Sequence, residues 1–139
     1  QIVTLMSNKF TTTYRIYYED TDAGGVVYYA NYLKFFERAR TDFLRSLEIS
    51  QSNLIASDNL AFVVRKCEID YISPAKLDDV IEVSVAVEEI RNASILMNQE
   101  IKTGDKILSK LQVKIACVNV SNFKPTKIPD NITNKLHIS

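Results

Sequence analysis

One stretch limits the folds open to this chain. From Val27 to Leu47 the apolar residues Leu33, Phe36, Ala39, Phe43, Leu44 and Leu47 recur at spacings of three and four. That is the period of one helix face, and Tyr32 and Phe35 widen it into a broad stripe. Lys34, Glu37, Arg38 and Arg45 take much of the remaining surface. About 21 residues at 1.5 Å each predict a helix roughly 30 Å long. A second, short helix is expected over Ser50–Asp58, with Ser50 as its cap and Leu54-Ile55 as its apolar side.

The rest of the chain carries the two-residue period of strands. Phe10–Tyr18 is rich in threonine and tyrosine; Lys66–Ile72 alternates Cys67, Ile69 and Tyr71 with Lys66, Glu68 and Asp70; Val80–Ile90 sets Ile81, Val83, Val85 and Val87 against polar neighbours. Ser94–Lys102 and Ile107–Val120 follow, joined by the hairpin signal Thr103-Gly104-Asp105-Lys106. One strand, a long helix and four strands in succession imply an α+β fold, an antiparallel sheet of about five strands with one helix to cover. A helix this apolar must be enclosed on more than one side, so the sheet must curl around it. The whole of 1–139 is expected to be one domain, with a flexible N-terminus over 1–9 and an irregular tail over 121–139, where Pro125 and Pro129 stand.

Charge and residue counts remove several classes of function. Lysine plus arginine and aspartate plus glutamate number 17 each, so no basic field favours nucleic acid. No apolar run nears the ~20 residues that cross a bilayer, and the first ten residues lack the basic start of a secretory signal. The expected place is the cytoplasm, and an integral membrane protein is not expected. Cys67 and Cys117 sit in strand-like apolar runs and read as reduced core residues. His137 is the single histidine and lies in the tail, so no zinc or iron site is expected; no G-x-S-x-G marks a serine hydrolase.

The chemistry concentrates where the first strand meets the long helix. Asp20, Thr21 and Asp22 form an acidic turn, Gly24 and Gly25 follow, and the helix begins. A helix N-terminus offers backbone N–H groups with no intrahelical partner and partial positive charge, a setting for an oxygen that becomes negative during a reaction. A carboxylate beside it would complete the minimum apparatus for opening an acyl compound. The same residues also serve as ordinary helix caps and turn glycines, the commoner use of such a pattern, and spacing alone leaves both roles open.

The run Arg15-Ile16, Thr21-Asp22, Gly25-Val26-Val27 and Tyr29-Ala30-Asn31-Tyr32 resembles the active-site signature of hotdog-fold acyl-CoA thioesterases of the 4-hydroxybenzoyl-CoA type, in particular their YbgC-like branch. Phe62-Val63-Val64-Arg65-Lys66, Tyr71, Pro74-Ala75, Leu77-Asp78-Asp79 and Lys124-Pro125 extend the likeness from Thr13 to Pro129. The resemblance implies the hotdog fold, a curled sheet around one long helix, and subunits that pair edge to edge with active sites between them, hence a homodimer or homotetramer. It implies an acyl-CoA or acyl-carrier-protein thioester as substrate and no cofactor beyond the coenzyme A of the substrate. It places Asp22 at the catalytic aspartate, as nucleophile or as base for water, and Tyr29 where a backbone N–H faces the thioester carbonyl; much of the branch has histidine at this position. Gly25, Val26 and Tyr28 would adjoin the substrate, with Val63 and Val64 beside its acyl group. Arg65, Lys66 and Arg91 are candidate cations for the phosphates, although Asn92 and Ala93 lack the further cations of the 4-hydroxybenzoyl type.

Asp20 reads as loop-fixing, and Glu37, with Arg40 and Thr41 three and four residues on, as the partner of an ion pair or hydrogen bond. A hydratase on the same fold would need a histidine in the site, which this chain lacks there. A non-catalytic acyl-CoA-binding or scaffold protein is the alternative of a different class.

Overall fold

The computed structural model describes residues 9–138. Its elements run β1 (Lys9–Arg15), a single 3-10 turn (Tyr18–Asp20), α1 (Tyr29–Ser46), α2 (Gln51–Asp58), β2 (Leu60–Tyr71), β3 (Val80–Ile90), β4 (Ser94–Thr103), β5 (Lys106–Asn119) and α3 (Asp130–Ile138). The strands form one antiparallel sheet in the order β1-β3-β4-β5-β2. The chain therefore enters at one edge, crosses by way of α1, and lays β2 along the opposite edge.

The sheet curls because α1 is apolar around much of its circumference. Tyr32, Phe35, Phe36, Ala39, Phe43 and Leu44 are all buried, and they meet Ile81, Val83 and Val85 of β3, Ile95 and Met97 of β4, and Leu111, Val113 and Ile115 of β5. Inside this core Gln99 of β4 is satisfied by the helix. Its Nε2 donates to the Phe36 carbonyl at 3.0 Å, and its Oε1 accepts from Arg40 at 2.9 Å. The expected antiparallel sheet around one long helix is what forms.

Several details differ from the expectation, among them that β2 opens at Leu60, well before the expected start at Lys66, because Leu60–Val64 also pair with β5 ahead of the bulge. The first strand ends at Arg15, because Tyr18–Asp20 turn as a 3-10 helix rather than continuing to Tyr18 in strand form. The helix starts at Tyr29 rather than Val27, since Val27 is bound as an isolated bridge to Thr21 and donates its N–H to Ala75 at 2.8 Å. Cys67 is exposed rather than part of the core, while Cys117 is buried. The reason is position: β2 is an edge strand, and the register shift between Val64 and Lys66 leaves Arg65 bulged. Phe62 and Val64, and beyond the bulge Cys67, Ile69 and Tyr71, face the helix side; Phe62 and Ile69 pack partly against the core, whereas Val64, Cys67 and Tyr71 stay exposed.

The tail is not irregular throughout. Thr126 donates its N–H to Cys117 at 2.8 Å, and Asp130–Ile138 form α3, which buries Ile132 and Leu136. The prolines precede this helix instead of interrupting it, and Pro129 accepts the N–H groups of Ile132 and Thr133 at 3.0 and 3.1 Å. The flexible terminus expected over 1–9 lies outside the described residues up to position 8, and Lys9 already opens β1. Among the described residues no helix is long and apolar enough to cross a membrane.

Candidate active site

The segment between β1 and α1 is stitched to the β2–β3 connection along its length. Ile16 donates its N–H to Asp79 at 2.8 Å and accepts from Asp78 at 3.1 Å; Leu77 donates to Gly25 at 3.1 Å. Asp20 is buried and does the loop-fixing expected of it: its Oδ2 accepts the Tyr17 N–H at 2.9 Å. Its carbonyl takes the Asn31 amide at 2.9 Å, which ties the loop to the first turn of α1.

Asp22 sits in a tighter loop. Its N–H donates to Val26 at 2.9 Å and its carbonyl accepts from Gly25 at 3.1 Å, a turn that Gly25 closes at φ +76. The side chain is aimed by one further bond, from the Gly24 N–H to Oδ1 at 2.9 Å. Oδ2 has no protein partner among the described residues. Two residues past the loop, Tyr28 caps α1 without offering a side-chain acceptor. The Asn31 N–H returns to the Tyr28 carbonyl at 2.9 Å, whereas the N–H groups of Tyr29 and Ala30 have no partner among the described residues.

Carboxylate and donors open on one cleft of about 360 Å³, lined by Asp22, Val26, Tyr28, Tyr29, Tyr32 and Tyr71 and closed by the 72–74 segment. Tyr32 fixes that segment: its hydroxyl accepts the Ala75 N–H at 2.8 Å and donates to Ser73 at 3.4 Å. Burial pushes the phenols of Tyr32 and Tyr71 above their ordinary value, so both are neutral near pH 7. The wall is therefore aromatic and uncharged, and Asp22 is the single carboxylate lining it.

The other sequence-derived candidates fall elsewhere. Val64 lines a larger groove of about 500 Å³ between α1 and β2, with Leu33, Phe62 and Cys67. Size does not make this groove the reacting centre, because Asp22 and the start of α1 open on the other cleft. Its Glu37 stands near Arg40, but Arg40 binds Gln99 and Thr41 accepts from Gln51, in place of the ion pair or hydrogen bond expected with Glu37. Burial holds the Arg40 guanidinium below its usual value, with Glu37 acting against that shift. Lys66 and Arg91 come together with Lys114 in a polar groove of about 320 Å³, where Glu68 and Glu89 pair with the first two at 3.6 and 3.2 Å. Val63 and Arg65 border none of these three hollows. The sequence marks Gly24 and Asn31 as part of the junction but not their roles, which they play through a backbone N–H and a side-chain amide on the loop; it gives no sign of Lys114, which arrives by cross-strand pairing with Lys66.

A curled antiparallel sheet around one helix, with a carboxylate at the mouth of that helix, defines the hotdog class of thioesterase-like proteins. Comparison with known proteins agrees on the family and the fold. The profile of the thioesterase-like superfamily matches residues 17–136. The acyl-CoA thioesterase YbgC of Haemophilus influenzae is 47% identical over 96% of this chain and 98% of its own. YbgC of Helicobacter pylori is 36% identical over 83% and 90% respectively. A crystal structure of a probable thioesterase from Bartonella henselae superposes with a TM-score of 0.84 at 35% identity, covering 88% of this chain and all of its own. The chain belongs to the thioesterase-like superfamily, in its YbgC-type branch, and is an enzyme of the thioesterase class.

Proposed function

We propose that the chain hydrolyses acyl-CoA thioesters to the free acid and coenzyme A at the Asp22 cleft. The observation that carries this reading is that an exposed carboxylate, held by the Gly24 N–H, shares one cleft with the Tyr29 N–H at the start of α1, which has no partner among the described residues. The thioester carbonyl accepts from that N–H, and the helix dipole adds to the stabilisation of the negative oxygen that forms on attack. In one route Asp22 attacks the carbonyl carbon, coenzyme A leaves as thiolate and takes a proton, and water hydrolyses the acyl anhydride to regenerate the carboxylate. In the other Asp22 takes a proton from water as that water attacks. Both routes balance and both need the ionised carboxylate. Tyr29 acts through its backbone, a role that does not depend on its side chain.

Arg91, Lys66 and Arg65 are assigned to the coenzyme phosphates, and Val63 and Val64 to the acyl group of a neighbouring subunit's site. That assignment fits an assembly through β2. The strand is an unpaired edge, and it leaves Val64 at 53% and Leu33 at 45% exposure over an apolar groove. A second copy adding its own β2 would satisfy the edge and cover the groove, giving a homodimer that can pair again into a tetramer. An acyl carrier protein would be an alternative thiol carrier, and the cytoplasm the place of reaction, consistent with two unpaired cysteines.

The test is thiol release from short aliphatic, long aliphatic and aromatic acyl-CoAs by the parent chain and by Asp22→Asn. Hydrolysis that the substitution reduces by about 10³-fold or more, with fold and assembly retained, supports the reading. Tight binding of every acyl-CoA with no thiol release would replace it with a binding protein.

A further inference from the structure

Tyr71 closes β2, far in sequence from α1, yet its ring rests on the start of that helix. The ring centres of Tyr71 and Tyr29 are 4.9 Å apart at an interplanar angle of 49°, and those of Tyr71 and Tyr32 are 5.4 Å apart at 53°. Both lie in the separation range at which tilted aromatic pairs attract. Tyr32 in turn holds Ser73 and Ala75, so a row of rings runs from the first turn of α1 to the opposite wall of the cleft.

The first turn has few other restraints. Asn31 ties its third residue to the Asp20 carbonyl, and Tyr28 supplies no side-chain cap. Tyr29, whose N–H faces the reacting carbonyl in the proposed function, is 66% exposed, and Tyr71 is its one aromatic contact among the described residues. The Tyr71 hydroxyl also points to the Tyr29 carbonyl, but 3.4 Å is long for an O–H donor, so the ring supplies the main restraint.

We propose that Tyr71 is a positioning residue: its ring, packed against Tyr29 and Tyr32, holds the first turn of α1 so that the Tyr29 N–H stays aimed at the thioester carbonyl. The inference rests on the thioesterase reading. A donor displaced from the developing oxyanion loses its effect on the transition state while leaving ground-state binding alone, so the loss falls on kcat rather than KM.

The experiment compares Tyr71→Leu and Tyr71→Phe with the parent chain, on whichever acyl-CoA the parent hydrolyses. Active fraction is fixed by titrating bound coenzyme A, and fold is checked by thermal midpoint. The expected result is that Tyr71→Leu lowers kcat about 10-fold or more with KM within about twofold. That is less than the 10²–10³ lost when an oxyanion donor is removed outright. Tyr71→Phe, which keeps the ring, should stay within about threefold of the parent. Should Tyr71→Leu lower the thermal midpoint, Tyr71→Thr, suited to a strand end, carries the same comparison. Parental kcat in the ringless variant overturns the proposal, as does a KM that rises in proportion to the loss, or a Tyr71→Phe as slow as Tyr71→Leu. Absence of turnover by the parent on any acyl-CoA would instead remove the thioesterase reading itself.

Discussion

Gly24 and Gly25 are neighbours with different tasks, and substitution separates them. Gly25 turns the chain at φ +76 with open space where a Cβ would stand, so alanine there meets backbone strain rather than a clash. The expected effect of Gly25→Ala is a stability loss of about 1–2 kcal/mol, read as a lower urea midpoint. Gly24 has no such φ, but a Cβ on it would lie 3.3 Å from Asp22 Oδ1, closer than ordinary contact. Gly24→Ala should leave the urea midpoint nearly unchanged and displace the carboxylate by a few tenths of an ångström. Since a misplacement of ~1 Å in a reacting group can cost about 10²-fold, a kcat lowered roughly 3–10-fold is expected. An unchanged kcat would mean that the carboxylate tolerates the shift and that its aim is not set by the Gly24 N–H. The sequence shows the doublet and the aspartate beside a helix start, but not which glycine touches the carboxylate. That depends on a hydrogen bond two residues long and on the rotamer it selects.

At the scale of elements, β2 is where sequence and structure diverge most, and the cause is its place in the sheet. Alternation of Cys67, Ile69 and Tyr71 correctly shows that these side chains share one face. It carries no information about how far that face is covered, because cover comes from α1, and α1 lies mainly over β1 and β3 at the other side of the sheet. The bulge at Arg65 adds a phase change that a two-residue period cannot contain. In α1 the period does find the buried Phe36, Ala39, Phe43 and Leu44, so the helix is legible in the sequence apart from its first turn, although Leu33, on the same period, is exposed. The uncovered face of β2 makes a prediction of its own. Val64→Asp places a carboxylate on the apolar surface that a second copy would cover, and desolvating it would cost several kcal/mol, or about 10²-fold or more in the dissociation constant. Light scattering at micromolar concentration should show a shift from oligomer to monomer, with hydrolysis lost in parallel. An oligomer that persists unchanged would place the interface on another surface.

Over the whole molecule, the two ends of the sheet are held to the helix by different chemistry, and pH distinguishes them. The β2 side leans on apolar and aromatic packing, whereas on the β1 side the Tyr14 hydroxyl donates to Asp42 of α1 at 2.6 Å. Burial, then the hydrogen bond and charge of Asp42, push the Tyr14 phenol above its ordinary value of about 10; burial does the same for Tyr32 and Tyr71. Below pH ~10 a tyrosine holds its proton in both folded and unfolded chains, so its contribution to stability is fully present. Above that pH the unfolded chain releases the proton first, and the contribution is lost as pH climbs toward the folded value. Stability should therefore fall between pH 10 and 11 with a component belonging to Tyr14. Tyr14→Phe should cost about 1–2 kcal/mol at pH 8, the lower part of the range for a bond to a charged group because the pair is only half-buried. The same variant should lose less than the parent on going from pH 8 to pH 11, since it has no phenol to ionise. Urea midpoints of the two proteins at both pH values measure this directly. Parallel losses would mean that the alkaline weakness arises from Tyr32 or Tyr71, and that the tie between β1 and α1 depends on packing such as Phe10 against Phe43 rather than on the Tyr14 proton.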